Sequence, residues 1–110
     1  MSKANNYPVF IKWYKTLDWI LDRCEKMPKH VRFSISSRVA GIALDVQEKI
    51  IEAIYRKERK EILSSINLDL EKLRVFFRII FERRYISEKQ YAFISNEINE
   101  TGRMIGGWMR

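Results

Sequence analysis

An all-α chain, folded as an antiparallel, up-down-up-down four-helix bundle, is what this sequence predicts, and three observations predict it. Large apolar side chains recur at three- and four-residue spacing in four separate stretches, the mark of helices that each bury one stripe. Gly (4) and Pro (2) are scarce among 110 residues, and no stretch alternates apolar and polar as a half-buried strand would. The connections are short, so successive helices should lie side by side and antiparallel. Helices of about 18 to 25 residues, at about 1.5 Å per residue, span roughly 27 to 38 Å. The length suits one domain over residues 1–110, and a 46% hydrophobic composition supplies its core.

The first seven residues are polar and are expected to be disordered. Pro8 suits a first helical turn. From there Phe10, Trp13, Tyr14, Leu17, Ile20, Leu21 and Cys24 form a stripe that runs to about Lys26, and Pro28 stops the helix. Lys29–Ser37 is a basic connector containing Phe33, with serines positioned to cap the second helix. That helix carries Val39, Ile42, Ala43, Val46, Ile50, Ala53 and Ile54 in a heptad-like seam. No Gly or Pro follows it. A turn is expected over Tyr55–Arg59, with one long helix through this point as the alternative.

The third helix runs to about Arg84 and has more apolar surface than one stripe needs. Leu70, Leu73, Phe77 and Ile80 make the stripe, while Phe76, Ile79 and Phe81 widen it, so burial on two sides is expected. Ser87 with Gln90 reads as a capping box opening a fourth helix of Tyr91, Ile94, Ile98, Ile105 and Trp108. Gly102, Gly106 and Gly107 lie late in it and imply either a neighbouring backbone close by or a frayed end. Trp13, Tyr14, Phe76, Phe77, Tyr91 and Trp108 sit at helical spacing and are expected in the core.

Lys and Arg number 21 against 14 acids, a net charge of +7. Such an excess favours an acidic partner, either nucleic acid or an anionic membrane surface. Aromatics committed to a core argue against the membrane. Charges break every long apolar run and the N-terminus has no signal core, so a cytoplasmic chain is expected. A single cysteine, Cys24, excludes an internal disulfide and a cysteine zinc cluster, and a single histidine, His30, excludes a paired-histidine metal site. Glycine-rich phosphate loops and nucleophile elbows are missing, and the pairs Asp18/Asp22 and Glu48/Glu52 read as helix-surface acids. No cofactor, metal or catalytic residue is expected. One feature is enzyme-like: Arg23 and His30 resemble the arginine and histidine of helical ribonucleases of the HEPN class. Here they straddle a proline, and a surface histidine in a basic turn is the plainer reading.

Antiparallel topology brings Arg23, Lys26, Lys29, Arg32, Arg38, Arg83 and Arg84 to one end, a candidate phosphate-binding surface. Arg56, Lys57, Arg59, Lys60 and Arg110 fall at the other. Arg74 and Arg78, one turn apart among large apolar residues, either pair with Glu71 and Glu82 or meet a second subunit or a channel.

Three segments carry a resemblance. The connector MPKHVRFSISSRVAG (Met27–Gly41), the helix EKLRVFFRIIFERRYIS (Glu71–Ser87) and the ending ISNEINETGRMIGGWMR (Ile94–Arg110) resemble the Avd proteins, the accessory variability determinants of diversity-generating retroelements. The likeness runs from about Tyr14 to the end. It implies a homopentameric barrel of four-helix bundles with a basic surface, binding the element's reverse transcriptase and its template RNA or cDNA, without catalysis of its own. By motif it implies nucleic-acid or partner contacts at Arg74, Arg78, Lys29 and Arg32, while Arg23, Arg83 and Arg84 fit by charge alone. A sister group, the four-helix proteins encoded in intervening sequences of ribosomal RNA genes, shares the bundle and the connector and would imply an RNA or ribosomal partner instead.

Overall fold

Each apolar repeat becomes one helix: α1 (Pro8–Glu25), α2 (Ser37–Ile54), α3 (Lys60–Glu82) and α4 (Glu88–Met109). The computed structural model describes residues 3–110, so Met1 and Ser2 lie outside the described residues. Short 3-10 turns occupy Lys3–Asn6 and Lys29–Val31, and a π-helical turn, Arg32–Ser36, leads into α2. The bundle measures 42 × 24 × 21 Å. α1 packs on α2, α2 on α3 and α3 on α4, and α4 closes back on α1 less tightly.

The core holds Trp13, Ile20, Ile50, Leu63, Ile66, Leu70, Leu73, Phe77, Ile80, Ile94 and Ile98, all essentially inaccessible to solvent. Burying each such side chain contributes about 1.5–3 kcal/mol. Apart from Gln47 Oε1, polar side-chain atoms drawn inside find partners among the described residues. The Trp13 indole donates to the Ala43 carbonyl at 2.9 Å, across the α1–α2 contact. Thr16 and Thr101 donate to the carbonyls of Lys12 and Glu97 one turn back. Two ion pairs stitch the seams: Lys12 to Glu97 at 2.8 Å between α1 and α4, and Lys49 to Asp69 at 2.7 Å between α2 and α3. Burial raises the pKa of the Cys24 thiol above its ordinary value, so it stays a small apolar core group.

The surplus apolar surface of α3 is largely absorbed within the chain. Phe81 stacks on Tyr91 of α4 with ring centroids 4.5 Å apart and planes 5° from parallel. Phe76 turns to the α2 side, beside Ile42, and Ile79 is half-buried. Leu68 and Val75 remain exposed.

Several expectations change. Tyr14 is not core: it is 62% exposed, because it lies at the edge of the α1 stripe with Phe10 beside it. The connector serines do not cap α2. Ser36 already has helical angles (φ −60°, ψ −48°), so the π turn feeds directly into the helix and no free N–H awaits a cap. Its hydroxyl instead donates to the Cys24 carbonyl at 2.9 Å, tying the end of α1 to the start of α2. Residues 3–7 pack against the bundle: Ala4 is buried, and the Tyr7 ring sits 5.4 Å from that of Trp108. What approaches Gly102 is no backbone but the Arg74 guanidinium, 3.2 Å from where a Cβ would stand.

Two helices stop without Gly or Pro, and each uses an arginine. At the end of α2 the Arg59 side chain folds back, its Nε donating to Ala53 O (2.7 Å) and Arg56 O (2.9 Å) and its Nη2 to Ile54 O (3.3 Å). Ala53 and Ile54 are the last residues of α2, so their carbonyls lie at the negative end of the helix dipole; Ala53 O also accepts the Arg56 N–H at 3.3 Å, and Arg56 lies in the turn beyond the helix. The expected turn is therefore real and the single long helix is excluded. At the end of α3, Arg84 adopts φ 64°. Its N–H bonds to Phe81 O (2.9 Å) and that of Tyr85 to Ile80 O (3.0 Å), a Schellman closure with arginine where glycine is usual. The α4 capping box forms as expected, Gln90 N–H to Ser87 Oγ at 3.1 Å and Ser87 N–H to Gln90 Oε1 at 2.9 Å.

Candidate nucleic-acid interface

Antiparallel packing brings the α1–α2 and α3–α4 connectors to one end, and one contact proves it. Tyr85 Oη lies 3.4 Å from His30 Nε2, with the rings edge-to-face at 6.1 Å. Around this contact the chain sets most of the cations expected there. Lys29 is exposed in its 3-10 turn, and Arg83 and Arg84 are exposed at the close of α3. Arg32 is exposed and reaches back to donate to the Glu25 carbonyl at 3.2 Å. Arg38 is exposed in the first turn of α2, beside Gly41, Asp45 and Lys72.

Two members of the group are less available. Arg23 is half-buried, 3.8 Å from Asp22, and Lys26 pairs with the same carboxylate at 3.0 Å. Asp22 thus neutralises part of the surface that sequence spacing alone counts as open. Arg23 meets Asp22 while His30 meets Tyr85, so the pair suggested for a ribonuclease is not brought into mutual contact. Among the described residues no cluster of three or more His, Cys, Asp or Glu is arranged to hold a metal ion. No helix among them is long and apolar enough to cross a membrane.

Arg74 and Arg78 separate. Arg74 is held in the α3–α4 seam: its Nε donates to Asn99 Oδ1 and its Nη1 to Glu71 Oε1, both at 3.0 Å. Gly102 makes room for the same guanidinium. Arg78 is exposed on α3 and makes no ion pair or hydrogen bond among the described residues. It lies about 8 Å along the helix axis from Arg83, against about 14 Å for Arg74. Arg78 therefore extends the cationic end up the flank of the bundle, and Arg74 belongs to the packing.

The residue that spacing arguments passed over is Phe33. It is 98% exposed, on the π turn between Arg32 and Ser34. Its signal was present as a lone phenylalanine in a basic connector, but nothing in the helical periodicity says which way it faces. The opposite end behaves differently, because Arg59 is spent on the α2 carbonyls and lies 5.0 Å over the Trp108 ring.

Further apolar side chains are exposed on α1 and on α2. Tyr14 of α1 and Leu44, Ile51 and Tyr55 of α2 are exposed, with Phe10 and Leu21 half-buried beside them. Gln47 lies buried in α2, and its Oε1 has no hydrogen-bond partner among the described residues.

No curated protein matches the chain. A family model described as bAvd-like matches residues 9–110, from the start of α1 to the last residue, and so takes in the connector, the Arg74–Arg78 helix and the glycine-tryptophan ending. The chain belongs to the bAvd-like family, the accessory variability determinant proteins.

Proposed function

We propose that this protein is a non-catalytic accessory subunit of a diversity-generating retroelement, working in the cytoplasm as a homopentamer that binds the element's reverse transcriptase and its template RNA or cDNA. Family membership supports the retroelement setting. One observation carries the nucleic-acid part: Lys29, Arg32, Arg83 and Arg84 gather exposed around the His30–Tyr85 contact on a chain of net charge +7. Phosphate contacts of this kind bind without reading sequence and weaken steeply with salt. The exposed Tyr14, Leu44, Ile51 and Tyr55 favour a covered face of the kind a subunit contact supplies.

Light scattering gives the assembly state, and titration of fluorescent RNA at rising salt gives affinity and its slope. The reading expects a pentamer, binding that falls about tenfold or more between low and moderate salt, and capture of the reverse transcriptase encoded beside the gene. A monomer with no RNA affinity at low salt refutes it. A gene neighbourhood with ribosomal RNA genes and no reverse transcriptase would transfer the chain to the intervening-sequence reading.

A further inference from the structure

Phe33 is the most solvent-exposed large apolar side chain among the described residues, at 98%. The π-helical turn explains how it comes to be displayed. Val31 and Ser36 are both buried, five residues apart, a spacing that suits i→i+5 winding. Arg32, Phe33 and Ser34 between them are all exposed. Ser36 is held by its bond to the Cys24 carbonyl, and Arg32 by its bond to Glu25 O, so the turn is anchored on both sides of the ring it presents. A side chain this exposed forgoes the stabilisation that burial would provide, and no other ring or cation contacts it among the described residues.

Its surroundings identify the occupant. Within four residues of Phe33 stand Lys29, His30, Arg32 and Ser34, all exposed and polar. A protein-docking anchor is normally framed by exposed apolar neighbours that exclude water, whereas the apolar residues nearest in the chain, Val31 and Ile35, are turned to the core, buried and half-buried. A single ring among cations is instead what a single-stranded nucleic acid requires, a π-face for one base and charges for the adjoining phosphates. A duplex already stacks its bases internally and offers the ring nothing along its length.

We infer that Phe33 is a stacking platform for one unpaired base, which makes the connector end of the bundle selective for single-stranded over double-stranded nucleic acid. This rests on the nucleic-acid reading above and adds to it a ligand class and a residue.

The test uses the full chain with a fluorescent single-stranded RNA and a duplex of equal length at fixed salt. Wild type should bind the single strand more tightly than the duplex. Phe33→Ala should weaken single-strand binding about 5- to 150-fold, the range spanned by loss of one base–aromatic stack, with duplex binding and the melting temperature unchanged. Phe33→Leu, which keeps apolar bulk without a ring, should lose nearly as much. Phe33→Trp should retain affinity and show emission quenched by the single strand beyond that of the parent. Equal single-strand affinity in wild type and Phe33→Ala overturns the inference and leaves the broader reading standing, whereas absence of any binding by wild type at low salt overturns both. Retention of affinity by Phe33→Leu, or equal losses on both nucleic acids, also rejects stacking. A Phe33→Ala protein that keeps its RNA affinity but loses the reverse transcriptase or its own assembly state would reassign the ring to protein docking.

Discussion

Replacing Arg59 with alanine tests whether an arginine can stand in for the missing stop signal after α2. Three hydrogen bonds from one guanidinium, at 2.7, 2.9 and 3.3 Å, close the carbonyls of Ala53, Arg56 and Ile54. Hydrogen bonds involving a charged group are worth about 1.5–3 kcal/mol net when buried. Here the side chain is half-buried and water can reach part of the gap, which argues for the lower figure. The helix dipole adds about 0.3–1 kcal/mol, and the guanidinium over Trp108 about 0.5–1 kcal/mol, partly overlapping. A loss of about 2–3 kcal/mol follows, and at about 4–8 °C per kcal/mol for a domain near this size the melting temperature should fall by roughly 8–24 °C. Thermal unfolding followed by circular dichroism reads it. Arg59→Lys keeps the charge without the fork and should recover part of the loss, and Arg59→Met separates the packing of the stem on Trp108 from the bonds. The effect should persist at high salt, since it does not depend on exposed ion pairs. A fall of less than about 3 °C for Arg59→Ala, or an Arg59→Met protein as stable as the parent, refutes the capping argument.

The two arginines of α3 should behave oppositely. Arg74→Ala, which empties the contacts to Asn99 and Glu71, should cost about 1 kcal/mol of stability in denaturant titration. Arg78→Ala should leave stability unchanged and lower the slope of log affinity for RNA against log salt by about one; identical phenotypes would reject the separation. Arg84→Gly should raise stability by about 1 kcal/mol by relieving the left-handed conformation while weakening RNA binding, and unchanged affinity would remove Arg84 from the interface. Gly106 and Gly107 lie in α4 with open space where a Cβ would go. Gly106→Ala with Gly107→Ala should therefore stabilise the monomeric fold by about 1 kcal/mol; no gain would mean that the end of α4 frays in solution.

Much of the fold was legible in the residues. The stripe from Trp13 to Cys24, the seam from Val39 to Ile54 and the Ser87–Gln90 capping box set helix positions to within a residue or two, because burial of one face and local capping are properties of spacing along the chain. The interface was legible only in part. That Lys29, Arg32, Arg83 and Arg84 share an end follows from antiparallel order, whereas the His30–Tyr85 contact between the two connectors is visible only in the structure.

What spacing could not determine is which cation is free. Arg23, Arg59, Arg74 and Arg78 are the same residue type, yet Asp22 neutralises the first, helix carbonyls hold the second and Asn99 the third, leaving the fourth exposed. The sequence by itself determined the four helices, their order and the sign of the charged end, since periodicity and topology are local or nearly so. Only the tertiary structure decided which arginines are bound into the fold and that Phe33 faces water, because a side chain's partner depends on atoms brought near from elsewhere in the chain.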